Sequence, residues 1–393
     1  MVSRDKSFST KAVHAGDKRG GSTGAVVEPI YETSVFAFSS TKQLVDVMSE
    51  KAEGYVYTRY GNPTIRSVED KIAELEQTED AAVFSSGMAA IATTLFTLVS
   101  SGDHVVSTRD LYGGTLELFN KVLPKFGVET TLVETTDLNE IRSATRSNTK
   151  VIYAETPTNP TLKVADLSAI AKIGKEKHAT VVVDSTFASP YNTKPTELGV
   201  DVVVHSATKY LSGHNDVTAG VVCGSETFVL ALKKMRKSVG GTLDPLAAWL
   251  LLRGLKTLGL RMERHNSNGI KVARYLEKHE KVKTVHYPGL ESHPQHSIAK
   301  RQMTGFGGVV SFEIDGNFET TAKFAENLKL CALASSLGGT ETLVTQPVTA
   351  SHYFVSEEDR KKAGITDQLI RLALGIEDPE DIIADLEQAF KKI

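Results

Sequence analysis

The residues of this chain best placed to do chemistry are a lysine and two hydroxyls that follow a short apolar run. Val202-Val203-Val204 leads through Ser206 and Thr208 to Lys209. A lysine tethered there and screened from water loses hydration of its ammonium, so its pKa falls below about 10.4. The neutral amine can then attack a carbonyl and form a Schiff base. A lone loop lysine is ordinarily just exposed, and two other stretches decide against that reading. Val181-Val182-Val183-Asp184 puts a carboxylate at the end of a second apolar run, where open α/β sheets bind ligands. If buried, that carboxylate needs a cationic partner, and a protonated ring nitrogen would serve. Ser85-Ser86-Gly87-Met88-Ala89-Ala90 stands between a strand pattern and a helix pattern. Small residues there let an anion reach first-turn N–H groups that have no partner in the helix.

A Schiff-base lysine, an acid facing a pyridinium nitrogen and a phosphate cradle are what pyridoxal 5'-phosphate requires. Asp184 precedes Lys209 by 25 residues, and Ser86-Gly87-Met88 come earlier still. Each feature alone is a common strand-end acid, helix cap or loop lysine; their combination in strand-end positions is specific.

The elements that must position them read as alternating strands and helices. Strands are expected at 82–84, 104–107, 131–133, 151–154, 181–183 and 202–204. Helices are expected at 87–99, near 115–126 and at 165–175. Strands that are continuous apolar runs imply a largely parallel sheet covered by helices on both faces. Asn62-Pro63 is a helix start, with Ile65, Val68, Ile72 and Leu75 on one face. After Gly241 a long helical stretch from Asp244 to about His279 leads into a smaller α+β region. That region has strands expected at 282–287, 308–314 and 369–374, and helices at 318–328 and 379–390. We read 1–60 as an N-terminal arm contacting a neighbouring subunit, 61–252 as a large cofactor-binding domain and 253–393 as a small C-terminal domain.

Lysine and arginine number 45 against 48 acids, for a formal charge of -3, and no basic stripe is present. This balance excludes nucleic acid and anionic membrane as expected partners and favours small molecules. Cys223 and Cys331 are isolated, which fits a reducing interior rather than a disulfide framework. With no signal core and no long apolar run, a cytoplasmic location is expected. No metal is expected, and His293 and His296 are read as surface histidines. No phosphate-loop, dinucleotide or nucleophile-elbow motif occurs.

The run S-A-T-K-Y, together with Y-x-R-Y-G-N-P-T, S-S-G-M-A-A, D-x-Y-G-G-T, E-T-P-T-N-P, S-L-G-G and L-I-R-L, resembles the cysteine and methionine metabolism family of pyridoxal-phosphate enzymes. That family includes cystathionine γ-lyase, methionine γ-lyase, cystathionine γ-synthase and the homoserine sulfhydrylases. The resemblance runs from about residue 10 to the end. It implies the fold type I, aspartate aminotransferase-like architecture, with a mostly parallel seven-stranded sheet, and a homotetramer built from two active dimers. It implies that Lys209 holds the cofactor and moves protons, and that Asp184 pairs with the ring nitrogen. Ser86, Gly87, Met88, Ser206 and Thr208 would bind the phosphate, joined by Tyr57 and Arg59 from a neighbouring subunit. Tyr112 would stack on the ring and protonate the leaving thiol. Arg371 would grip the substrate α-carboxylate with Ser336 and Asn159. The expected reaction is γ-elimination from methionine, cystathionine or homocysteine, with γ-replacement on an acyl-homoserine as the alternative. Methionine γ-lyases typically carry cysteine where this chain has Gly114, and the cystathionine enzymes usually have glutamate where it has Ser335.

Overall fold

A computed structural model describes residues 6–17 and 24–393. Part of the expected N-terminal arm, residues 1–5 and 18–23, therefore lies outside the described residues. The large sheet has seven strands: β1 (Asp80–Phe84), β2 (His104–Thr108), β3 (Glu129–Val133), β4 (Thr149–Glu155), β5 (Thr180–Asp184), β6 (Val202–Ser206) and β7 (Gly220–Gly224). Their order is β1-β7-β6-β5-β4-β2-β3. Only β7 runs against its neighbours.

The valine-rich runs are buried on both faces, as a helix-covered sheet requires. On one face Phe84, Tyr153, Val182, Val204 and Val222 pack with Ile91 and Leu95 of the helix Gly87–Leu98. On the other Val83, Val203, Val221 and Cys223 pack with Ile65, Val68 and Ile72 of the helix Pro63–Glu76. The latter helix starts as its sequence requires, with the Asn62 side chain accepting the Thr64 N–H at 2.9 Å and Pro63 following.

A second sheet holds β8 (Val282–His286), β9 (Val309–Ile314), β10 (Ala332–Leu333), β11 (Leu343–Thr345) and β12 (Leu369–Ala373), in the order β10-β11-β12-β9-β8. Its core joins Val310, Phe312 and Leu372 to Phe324 and Phe390 of the helices Phe318–Glu326 and Pro379–Phe390. The passage from one core to the other falls within the helix Leu258–Leu276, since Met262 belongs to the first and Val272 to the second.

Several elements were absent from the sequence expectation, among them the helix Glu226–Val239 and strands β10 and β11, and three differences bear on the frame of the cavity. β7 was not anticipated, because its V-V-C run follows β6 through a loop with no intervening helix and breaks the βα rhythm. The expected helix near 115–126 is three short pieces, Gly113–Glu117, Leu118–Val122 and Leu123–Phe126, the last holding Pro124, which cannot donate within a helix. The long stretch after Asp244 is two helices, Pro245–Leu255 and Leu258–Leu276. Buried Arg261 fills the break, donating to the carbonyls of Gly254 at 2.8 Å and Tyr210 at 2.7 Å. A further correction concerns His293, which is 5 % exposed rather than on the surface.

Candidate active site

Strands β1, β2, β4, β5 and β6 point their carboxyl ends at one edge of the sheet, and the segments leaving them meet β12 and the loop before β11. Between them lies a cavity of about 740 Å³. It is lined by Ser86, Gly87, Met88, Tyr112, Asn159, Asp184, Ser206, Thr208, Lys209, Ser336 and Arg371, all eleven drawn from the sequence reading. Tyr57 and Arg59 do not line it. In this chain the Arg59 guanidinium lies 5.5 Å from the Tyr57 ring and donates to the Lys237 carbonyl.

Lys209 is positioned by a tight return of the chain. The Thr208 N–H donates to the Ala219 carbonyl at 3.2 Å, and the Ala219 N–H donates to the Thr208 hydroxyl at 3.0 Å. This zips the loop shut behind the lysine. The S-L-G-G segment packs directly on it: a Cβ on Gly338, where φ is +77°, would stand 2.6 Å from the Tyr210 nitrogen. Ser336, at φ +91°, accepts from Lys209 Nζ at 2.8 Å. Burial, assisted by the nearby Arg371 charge, pulls the Lys209 pKa down to about 8.

Asp184 ends β5 in the core. Its Oδ1 accepts from the Thr186 N–H at 3.0 Å and from the Thr186 hydroxyl at 2.5 Å. Glu155 ends β4 in register with it. Its two oxygens accept the N–H groups of Tyr112 at 2.9 Å and Asn159 at 3.1 Å. Burial raises the pKa of both acids, and the charge of Asp184 pushes Glu155 further up. Arg371 crosses the cavity from β12, donating through Nη1 to Asn159 Oδ1 at 2.9 Å and through Nη2 to the Ser336 carbonyl at 3.0 Å. Its Nε is buried without a partner, and burial lowers its pKa to about 10.

The segment expected to cradle a phosphate forms a capped helix start beside β6. Ser86 caps the helix Gly87–Leu98 by accepting the Ala89 N–H at 3.0 Å. A Cβ on Gly87 would come within 3.0 Å of Ser206 Cβ. Bare glycine thus keeps the space between the first helical turn and β6 open, where an anion meets free N–H groups and the positive end of the helix.

Comparison with known proteins decides the family. The sequence profile of the family described as "Cys/Met metabolism PLP-dependent enzyme" matches residues 9–391. The chain belongs to this family. It is 48% identical, over 100% of both chains, to an L-methionine gamma-lyase of Fusobacterium nucleatum. It is 45% identical to the chloroplastic cystathionine gamma-synthase 1 of Arabidopsis thaliana, over 97% of this chain and 68% of that one. The crystal structure of cystathionine gamma-lyase from Lactobacillus plantarum complexed with L-serine superposes with a TM-score of 0.93. It is 42% identical and covers 99% of each chain.

The cofactor of the family is pyridoxal 5'-phosphate, and this cavity fits it. Two adjacent buried acids of raised pKa would be relieved by a cationic ring nitrogen, the glycine-lined helix start would take a dianion, and a lysine of lowered pKa lines the same cavity. Among the described residues no group of three or more His, Cys, Asp or Glu is arranged to hold a metal, and no helix is long and apolar enough to cross a membrane.

The sequence reading missed the roles of Glu155 and Thr186, and the cover formed by Ser351, Phe354, Val355 and Asp359. Glu155 carried a usable signal, because V-I-Y-A-E ends an apolar strand just as V-V-V-D does. The cover carried none, since a polar loop between β11 and β12 marks no cavity by its composition.

Proposed function

We propose that the protein catalyses γ-elimination from a sulfur amino acid, methionine, cystathionine or homocysteine, releasing 2-oxobutyrate, ammonia and a thiol. The observation that carries this reading is the meeting of Lys209, Asp184 and the Arg371–Asn159 pair around one cavity of a chain in this family. When bound, pyridoxal phosphate supplies an electron sink for charge developing at the substrate α carbon. Asp184 would hold its ring nitrogen. Ser86, Gly87, Met88, Ser206 and Thr208 would hold its phosphate, with Tyr57 of the partner subunit and Arg59 of the partner subunit completing the charge balance. Lys209 would hold it covalently at rest.

Arg371 and Asn159, with Ser336, orient the substrate by its α-carboxylate. Lys209, whose amine is made easier to deprotonate by burial, moves protons at the α and β carbons. Tyr112, which lines the cavity and would stack on the cofactor ring, would donate the proton that the leaving thiol needs. Gly114 and Ser335 both line the cavity where the γ-substituent must lie. Neither brings a carboxylate for the distal amine of cystathionine, which argues against strict specificity for cystathionine.

The alternative, γ-replacement on an acyl-homoserine, is supported by the likeness to a cystathionine gamma-synthase. The deciding experiment compares 2-oxobutyrate release from methionine, homocysteine and cystathionine with thiol addition to acyl-homoserines. Background-level release with rapid thiol addition would overturn the elimination reading.

We further infer a cytoplasmic homotetramer of two active dimers. For contact with a neighbouring subunit the arm gives support: the helix Thr41–Met48 buries no residue, and Val26, Val35 and Met48 are 82%, 62% and 56% exposed. We also propose a division into an arm (1–60), a large domain (61–252) and a small domain (253–393), the helix Leu258–Leu276 carrying the small domain's first turns against the large-domain core.

A further inference from the structure

Glu155 lines the cavity beside Asp184, and holding the ring nitrogen through Asp184 gives it no contact of its own to make. It is 3% exposed, on the last residue of β4, facing Asp184 in register on β5. Asp110 also lies close enough to oppose its charge, and Arg371 close enough to favour it. A second buried carboxylate beside Asp184 is costly, so its contacts must explain it.

Those contacts are two backbone N–H groups from two different segments. Oε2 takes the N–H of Tyr112, which leaves β2, and Oε1 takes the N–H of Asn159, which leaves β4. From Asn159 the hydrogen bonds continue without a gap: Asn159 Oδ1 to Arg371 at 2.9 Å, Arg371 to the Ser336 carbonyl at 3.0 Å, and Ser336 Oγ to Lys209 Nζ at 2.8 Å. Tyr112 begins a helix, Gly113–Glu117, whose start has no side-chain cap. Its N–H is held by the Glu155 carboxylate at 2.9 Å. Both partners are donors, so the tether needs one acceptor oxygen for each. A carboxylate supplies two, while a carboxamide supplies one oxygen and presents an NH2 to the other donor.

We propose that Glu155 is a positioning residue that couples the Tyr112 loop to the carboxylate-binding pair Asn159–Arg371. Although it lines the same cavity, it acts through the backbone N–H groups of Tyr112 and Asn159. It fixes the spacing between the group that meets the ring and the group that meets the carboxylate. The inference rests on the reading above in which Arg371 and Asn159 bind the α-carboxylate.

The test uses the cofactor-loaded enzyme and spectral titration with glycine and methylamine, which share an amine and differ in the carboxylate. The wild type should prefer glycine. E155Q should lose about tenfold or more of that preference, as expected when a buried acceptor is replaced by a donor, while methylamine binds as before. In the double variant E155Q/N159A the preference should fall no further than in N159A alone. A loaded E155Q with the wild-type preference, or additive losses in the double variant, would overturn the proposal. Should E155Q fail to take up cofactor, Glu155→Asp keeps both oxygens on a side chain one methylene shorter, and an unchanged preference there overturns it equally. If the wild type itself shows no preference for glycine, the carboxylate reading of Arg371 fails instead. The Tyr112 tether is then read from the visible circular dichroism of the bound cofactor, which E155Q must change for the proposal to stand.

Discussion

Lys209 should react as a lysine of unusually low basicity, and the structure says why. Burial is the larger cause and the Arg371 charge the second, together bringing its pKa from 10.5 to about 8. At pH 7 an ordinary lysine is neutral in roughly one molecule in 3,000, whereas a pKa near 8 gives about one in 10, a gain of about 300-fold in reactive amine. The perturbation is Arg371→Met, which removes the like charge and leaves an apolar chain of similar length. The assay is the pH dependence of cofactor uptake by the cofactor-free protein, trapped with borohydride at short times. The wild-type rate should level off near pH 8, and in R371M the inflection should move upward. An inflection near 10.5 in the wild type would refute the burial argument. An inflection unmoved in R371M would refute the electrostatic part alone.

Gly87→Val should weaken cofactor retention by about tenfold or more by filling the anion cradle against Ser206; equilibrium dialysis showing wild-type retention would contradict the cradle. At Gly114 a Cβ would stand 2.7 Å from Tyr112 Cε1 and 3.2 Å from Met88 Sδ. Gly114→Cys should therefore displace the Tyr112 ring and lower kcat for elimination about tenfold, with a changed visible circular dichroism spectrum as the accompanying sign. Lys71 is fully buried, donates to the carbonyls of Ala12 at 2.9 Å and Val13 at 3.2 Å, and has its pKa pulled to about 8 by burial. Because its folded pKa lies below the unfolded 10.5, the unfolded chain binds more protons between these values. Its contribution makes stability rise with pH from about 8 to 10.5, and denaturant titrations of Lys71→Met across that window should show a flatter rise than the wild type.

Much of the fold and most of the cavity were legible in the chain itself. Valine runs that are apolar at every position can only be buried on both faces, and this alone placed β2, β4, β5 and β6 in a helix-covered sheet. Asn62-Pro63 and Ser86-Gly87 announced helix starts through local backbone chemistry, which depends on a few neighbouring residues. Asp184 and Lys209 were legible for the same reason, since a charged group at the end of an apolar run is conspicuous without knowing what it faces. Tertiary structure decided what depends on distance through space. The V-V-C run became β7 only because Thr208 and Ala219 pair across a loop. Glu155 became a tether because segments leaving β2 and β4 converge on it, and Tyr112 and Asn159 stand 43 and 4 residues away from it in sequence. Arg371, 212 residues from Asn159, meets it only when the second sheet packs on the first. Local sequence sets backbone preferences and burial, but hydrogen bonds between distant residues exist only once packing has brought their donors and acceptors together.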